Sequence, residues 1–259
     1  MVRWRIIALF LGISLIMASC QHSGVRTCDN IFIDTTATLY VFYPNYKGIK
    51  WICSDSPDEN NDSILFCCTA TFSKDYSIEI DHSKVCGSHI TEGKYYEGYQ
   101  HHLINGAFLY SNGEYTFLHD SLTNIIKSHE GMSNTFAFCQ MRLDTTIVSI
   151  PSDSIYFEKF GWRGYKNLEG RLRLSLTKFK YRALCEKDQK ICIIESKEEV
   201  SLTQFRKNLN DYGVTNALYL DTGVGWSYSW YRDNNNEVQV LHPHVHPFNT
   251  NWLIFYKDK

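Results

Sequence analysis

The feature that most constrains this chain is its division into short apolar runs of strand length. Ile31–Pro44 reads IFIDTTATLYVFYP, Gly48–Cys53 GIKWIC, Ile64–Ser73 ILFCCTATFS and Tyr76–Ile80 YSIEI. All are rich in β-branched and aromatic residues, which suit a pleated, half-buried surface. The abundance of Tyr, Phe and Trp fits the same β-rich core. The acidic stretch Ser54–Ser63 (SDSPDENNDS) reads as a surface loop between runs. Leu103–Leu118 reads as a hairpin turning at Asn112-Gly113, a strong short-range turn signal. Arg171–Leu184 alternates as a half-exposed strand does. It runs into a second hairpin, LCEKDQKICII, that sets Cys185 opposite Cys192, either as a disulfide or as two core thiols.

Two segments carry helical signals. His119–Gly131 suggests a short helix capped by Asp120 or Ser121 and ended by Gly131. Ser201–Gly213 (SLTQFRKNLNDYG) is the clearer one. Ser201 with Gln204 makes a capping box, Leu202, Phe205, Leu209 and Tyr212 form an apolar stripe, and Gly213 stands where a helix stops. A short strand, VTNALYLD, follows. Strands, hairpins and two helices in this order predict one α+β domain over residues 31–259, a mixed, mostly antiparallel sheet core with a few flanking helices.

The N-terminal end predicts export. Arg3 and Arg5 precede the apolar run Ile6–Ala18, shorter than a bilayer-spanning helix needs, and small residues follow. Met17-Ala18-Ser19-Cys20 resembles the lipobox of bacterial lipoproteins. That resemblance implies a signal peptide over 1–19, lipidation of Cys20, a tether over 20–30 and a membrane partner held through the lipid. Gln21 in place of Asp favours the outer membrane. Removing Arg3 and Arg5 with the leader moves the formal net charge from −2 to −4, which offers nothing to nucleic acid. An exported chain can form disulfides, and no two Cys pairs have zinc-finger spacing.

Leu220-Asp221-Thr222-Gly223 carries the letters of an aspartic protease turn. That chemistry needs two carboxylates sharing a proton. The partial copies around Asp34 (FIDTTA) and Asp144 (RLDTTI) lack the glycine, and only 38 residues follow Asp221. The longer stretch SLTQFRKNLNDYGVTNALYLDTGVGWSY instead resembles the C-terminal core of the phosphodiester glycosidase family. The marks are Gly213, Ala217-Leu218-Tyr219-Leu220-Asp221 and the turn Thr222 to Ser227. Asn105, Gly106 and Phe108 resemble its Asn-Gly-x-Phe segment, Arg182-Ala183 its Arg-strand, and TNWLIFY its closing strand. Matches are good over 182–256 and weaker from about Cys86. The family usually has Asp-Gly-Gly followed by serines, where this chain has Thr222 and Trp226.

The resemblance implies hydrolysis of a sugar-1-phosphodiester in a glycan or phosphoglycan. It implies Asp221, Asn105 and Arg182 as catalytic residues: Asp221 as base, nucleophile or cation ligand, Arg182 clamping a phosphoryl group, Asn105 orienting sugar or water. Gly106, Thr222, Gly223, Gly225, Trp226 and Ser227 would line the substrate site, with Gly223 and Gly225 freeing backbone N–H groups for an anion. The cofactor is left open, a divalent cation such as calcium being one option. Taken alone, Asp221 reads as a strand-end residue bonding its own turn and Arg182 as a salt-bridge partner. The departures Thr222 and Trp226 suggest a second possibility, a carbohydrate-binding module without catalysis. His242, His244 and His246 alternate in LHPHVHPF, as metal ligands on one strand face would, giving a third, a metal-dependent hydrolase. The neighbouring Pro243 and Pro247 favour an exposed row at a pocket rim instead, and His101-His102 is a weaker candidate pair.

Overall fold

A computed structural model describes residues 29–74, 80–101, 103–119, 122–144, 178–223 and 227–257. Cys20, the leader and most of the tether lie outside them, as do nearly all of the Tyr76–Ile80 run and the first part of the alternating run before residue 178. Among the described residues no helix is long and apolar enough to cross a membrane, which says nothing of a β-barrel.

The short runs fold as strands, and turn chemistry divides them. Ile31–Pro44 breaks at Thr36, whose hydroxyl accepts the Leu39 N–H, into β1 (Ile31–Thr35) and β2 (Leu39–Pro44). β3 is Gly48–Cys53 and β4 Ile64–Thr69. β5 (His89–Thr91) and β6 (Lys94–Tyr96) follow. The hairpin β7 (Gly106–Ser111) and β8 (Glu114–Leu118) turns at Asn112-Gly113, both at positive φ, 53° and 91°. β9 is Thr135–Gln140. After β10 (Lys178–Phe179) come β11 (Arg182–Lys187) and β12 (Lys190–Ser196), whose register puts Cys185 opposite Cys192. Both are buried thiols with no bond between them. β13 (Val200–Ser201), β14 (Asn216–Leu220), β15 (Ser229–Arg232), β16 (Val238–His242) and β17 (Asn251–Tyr256) complete the set.

These strands build three five-stranded sheets, ordered β1-β2-β12-β11-β14, β16-β15-β4-β17-β3 and β6-β5-β9-β7-β8, with β10 and β13 as a separate pair. Every pairing of named strands is antiparallel. The expected α+β class with a mixed sheet and flanking helices is therefore corrected to an all-β sandwich. The described helices are Leu122–Lys127 and Leu202–Tyr212, and neither adds a layer of its own. The helix signals were genuine, but helices this few and short only cover sheet faces.

One core joins all three sheets: Phe42, Leu184 and Leu218 from the first, Trp51, Phe66 and Phe255 from the second, Phe108 and Phe138 from the third. The first sheet is buried on its other face too, where Phe205 and Leu209 of the long helix pack on Val41, Ala183, Cys185 and Ala217. Double burial explains why β11, β12 and β14 read as continuous apolar runs rather than alternating ones. The helix forms where its signals place it. Ser201 Oγ accepts the Gln204 N–H at 3.1 Å, and Gly213 closes it at φ 88°. The Gln204 side chain turns to Asn208 Oδ1 (2.7 Å), so no reciprocal half of the capping box is seen. Phe205 is fully buried at the centre of this contact. Phe205→Ala is expected to lower unfolding free energy by about 3–5 kcal/mol in urea titration, the usual cost of an aromatic core truncation.

Candidate active site

Parity along β11 decides where Arg182 points. It lies two residues from Leu184 on the core-facing side, so its guanidinium enters the protein. It is fully buried. Glu195 stands directly opposite it on β12 and meets its Nε through Oε1 at 2.5 Å. Nη2 donates to Ser229 Oγ (2.5 Å) and to the Ser227 carbonyl (2.9 Å) on the neighbouring sheet. His242, opposite Ser229 on β16, reaches the second Glu195 oxygen through Nε2 at 3.2 Å. Burial alone would raise the Glu195 carboxyl. The Arg182 charge and the His242 hydrogen bond outweigh it and hold the group at about 2. Nη1 of Arg182 is buried with no hydrogen-bond partner among the described residues.

Asp221 follows β14 at the same seam. Its N–H donates to the Ala70 carbonyl (2.9 Å) and its own carbonyl accepts the Thr69 hydroxyl (2.8 Å), tying the first sheet to the end of β4. The residue is 5 % exposed. Burial pushes its carboxyl up to about 7, against the pull of the Gly223 N–H on Oδ1 (2.9 Å) and of the Arg182 charge. Close enough to interact are the Cys86 thiol, itself raised to about 12 by burial and by Asp221, and Arg182. A carboxyl that titrates near neutrality can both give and take a proton.

The turn after Asp221 uses its donors internally. Thr222 N–H donates to the Tyr219 hydroxyl, which also meets Thr222 Oγ1, both at 3.0 Å. Gly225 and Trp226 lie outside the described residues. Asn105 is exposed, and its Oδ1 accepts the Arg142 N–H at 2.7 Å. Arg142 bridges to Leu218, three residues before Asp221, so Asn105 joins this strand away from the carboxyl. Gly106 has a packing reason: a Cβ there would come within 2.3 Å of Arg142 Cγ and 2.8 Å of Leu218 Cδ2. The three histidines do not converge. His242 binds Glu195, His244 is exposed, and His246 stacks on Phe248 at 4.9 Å. His101 packs against Phe72, and His102 is outside the described residues. Asp34 accepts the Tyr212 hydroxyl and Asp144 pairs with Arg142, so neither gives Asp221 a carboxylate partner. Calcium takes roughly six to eight oxygen ligands. Among the described residues, the groups whose electrostatics couple to the Asp221 carboxyl include a thiol and a guanidinium, neither of them a calcium ligand.

Glu195, Ser229 and Cys68, the last in electrostatic contact with Arg182, were not singled out from the sequence. Glu195 was accessible there: the register that opposes Cys185 and Cys192 also opposes Arg182 and Glu195.

No known protein family matches the sequence, and no curated protein matches it. A solved structure does match in fold: the zebrafish N-acetylglucosamine-1-phosphodiester α-N-acetylglucosaminidase catalytic domain, auto-inhibited by its pro-peptide. It has a TM-score of 0.55 and 13 % identity, over 89 % of this chain and 83 % of that one. The chain shares the fold of that domain. At this identity the likeness is one of fold alone, and the residues at the site must carry any statement about chemistry.

The Asp221 carboxyl makes stability depend on pH. The unfolded group ionises near 4, whereas the folded one keeps its proton to about 7. Between those values rising pH favours unfolding, and above 7 the cost is complete, on the order of 4 kcal/mol. Asp221→Asn, which keeps an acceptor for Gly223, is expected to stabilise the protein by a few kcal/mol at pH 8 and to change little at pH 4, read by urea titration at each pH.

Proposed function

We propose that the chain is an exported hydrolase, lipid-anchored at Cys20 in the outer membrane, that cleaves a sugar-1-phosphodiester or related glycosidic bond in a glycan or phosphoglycan. The observation that carries this reading is the buried Asp221 carboxyl, held near neutrality beside Arg182 at the end of β14. The glycosidase fold of the zebrafish enzyme and the order of the Asn105, Arg182 and Asp221 motifs support it. In this reading Asp221 transfers the proton at the glycosidic oxygen or the attacking water. Arg182 acts from within the core as a fixed positive charge toward the phosphoryl group, while Glu195 and Ser229 hold the guanidinium still.

One observation favours a second reading, a carbohydrate-binding module without turnover. The amides of Thr222 and Gly223 are already bonded to Tyr219 and Asp221, so neither is aimed at an anion. Incubation with α-N-acetylglucosaminyl phosphodiesters, with and without EDTA, separates the two. The hydrolase is expected to release free sugar with a pH profile inflecting near 7, and Asp221→Asn to slow release about 100- to 10,000-fold. Sugar binding without release from a folded wild type would replace the hydrolase with the binding module.

A further inference from the structure

A second cluster of reactive side chains lies away from Asp221, where the second and third sheets meet. Cys53 ends β3. His89 begins β5, and His82 stands on the single 3₁₀ turn His82–Lys84 that precedes it. Their ligand atoms, Cys53 Sγ and one nitrogen of each ring, all lie within 4.8 Å of one another, the one such group of three among the described residues.

The hydrogen bonds orient the rings. His89 Nδ1 lies 3.0 Å from the Gly87 carbonyl, which can only accept, so the proton sits on Nδ1 and the lone pair on Nε2. That ring is fully buried, which favours its neutral form. Nε2 points at His82 Nδ1, 3.1 Å away. The backbone carbonyl holding the far nitrogen of a buried histidine is the outer-shell arrangement metal-ligating imidazoles use. Tyr96 stacks on His82 at 3.6 Å, and the edge of Trp51 meets His89 at 5.2 Å, so both rings are fixed before any ion arrives.

We propose that Cys53, His82 and His89 form a zinc site. Zinc bonds nitrogen at about 2.0–2.1 Å and thiolate sulfur at about 2.3 Å in a tetrahedron, which sets its donors roughly 3.3–3.6 Å apart. The two nitrogens, 3.1 Å apart, have to open by a few tenths of an ångström, and the sulfur, within 4.8 Å of both, needs only a short inward movement. One thiolate and two imidazoles suit zinc rather than magnesium or calcium, which take oxygen. On binding, the Cys53 thiol releases its proton to solvent, and the His82 proton moves from Nδ1 to Nε2. The fourth position takes water. The ion would brace β3 against β5, where the described polar link is the 3.4 Å bond from Thr91 Oγ1 to the Trp51 carbonyl. No short motif announces this site, because its ligands spread from residue 53 to residue 89.

The test is the zinc content of the full chain after incubation with zinc and gel filtration, together with the absorption spectrum of the cobalt(II)-substituted protein. Wild type and the control His244→Gln are expected to hold one ion per chain, with a tetrahedral cobalt spectrum and a thiolate charge-transfer band. Cys53→Ser and His82→Gln, both at half-exposed positions, are expected to lose at least tenfold in affinity, and Cys53→Ser to lose the charge-transfer band. A wild type that takes no zinc, variants that keep it, or a His244→Gln that loses it would overturn the assignment. Should Cys53→Ser fail to fold, the charge-transfer band of the wild type and the affinity of His82→Gln decide the question.

Discussion

The structure turns on a charge placed inside it. Arg182 faces the core because it shares a strand face with Leu184, and a fully buried guanidinium is tolerable only if its charge is matched and most of its donors are met, as here all but Nη1 have an acceptor or a paired charge beside them. Glu195 supplies the charge from the adjacent strand, and Ser227 and Ser229 supply acceptors from the next sheet. The pair therefore binds two sheets together through polar groups at a point where the apolar core cannot. It also sets the field in which Asp221 titrates. Without the Arg182 charge, burial would drive that carboxyl higher still.

The two carboxyls at this seam show how position separates like groups. Both are buried. Glu195 meets Arg182 through Nε and His242 through Nε2, and it stays ionised at any ordinary pH. Asp221 receives a single amide hydrogen bond and a more distant charge, and it titrates near neutrality. One carboxyl holds the frame and the other is free to exchange a proton. Such a division is common where an acid must work at neutral pH. Its cost falls on stability above pH 7, where the rest of the sandwich, a core shared by three sheets, has to carry an ionised buried Asp221.

Much of this was legible in the sequence, and the failures have physical causes. The strands from Ile31 to Cys53, the Asn112-Gly113 hairpin, the Cys185–Cys192 hairpin, the Ser201–Gly213 helix and the strand leading to Asp221 all stand where their patterns place them. Each is specified by residues close together. The fold class failed because it depends on how sheets stack, and local helix signals overstate the weight of two short helices. The Arg182 charge reaches the Asp221 carboxyl without touching it, but Asn105 joins the strand at Leu218 instead, since its side chain serves the Arg142 backbone. The even spacing of His242, His244 and His246 suggested a ligand row. Only His242 belongs to a strand, so the alternation that would align the three ends at Pro243. Glu195 belongs to no motif, and only the hairpin register that opposes Cys185 and Cys192 sets it across from Arg182.

The measurement that tests the account most directly is the titration of the Asp221 carboxyl itself, followed by carbon-13 NMR of labelled aspartate side chains with Asp221→Asn used to assign the signal. A midpoint near 7 is expected from its burial and from the single amide that opposes it. A midpoint near 4, the value of an ordinary exposed aspartate, would mean that water or an unconsidered partner reaches the carboxyl. It would remove the basis for giving this residue the proton-transfer role.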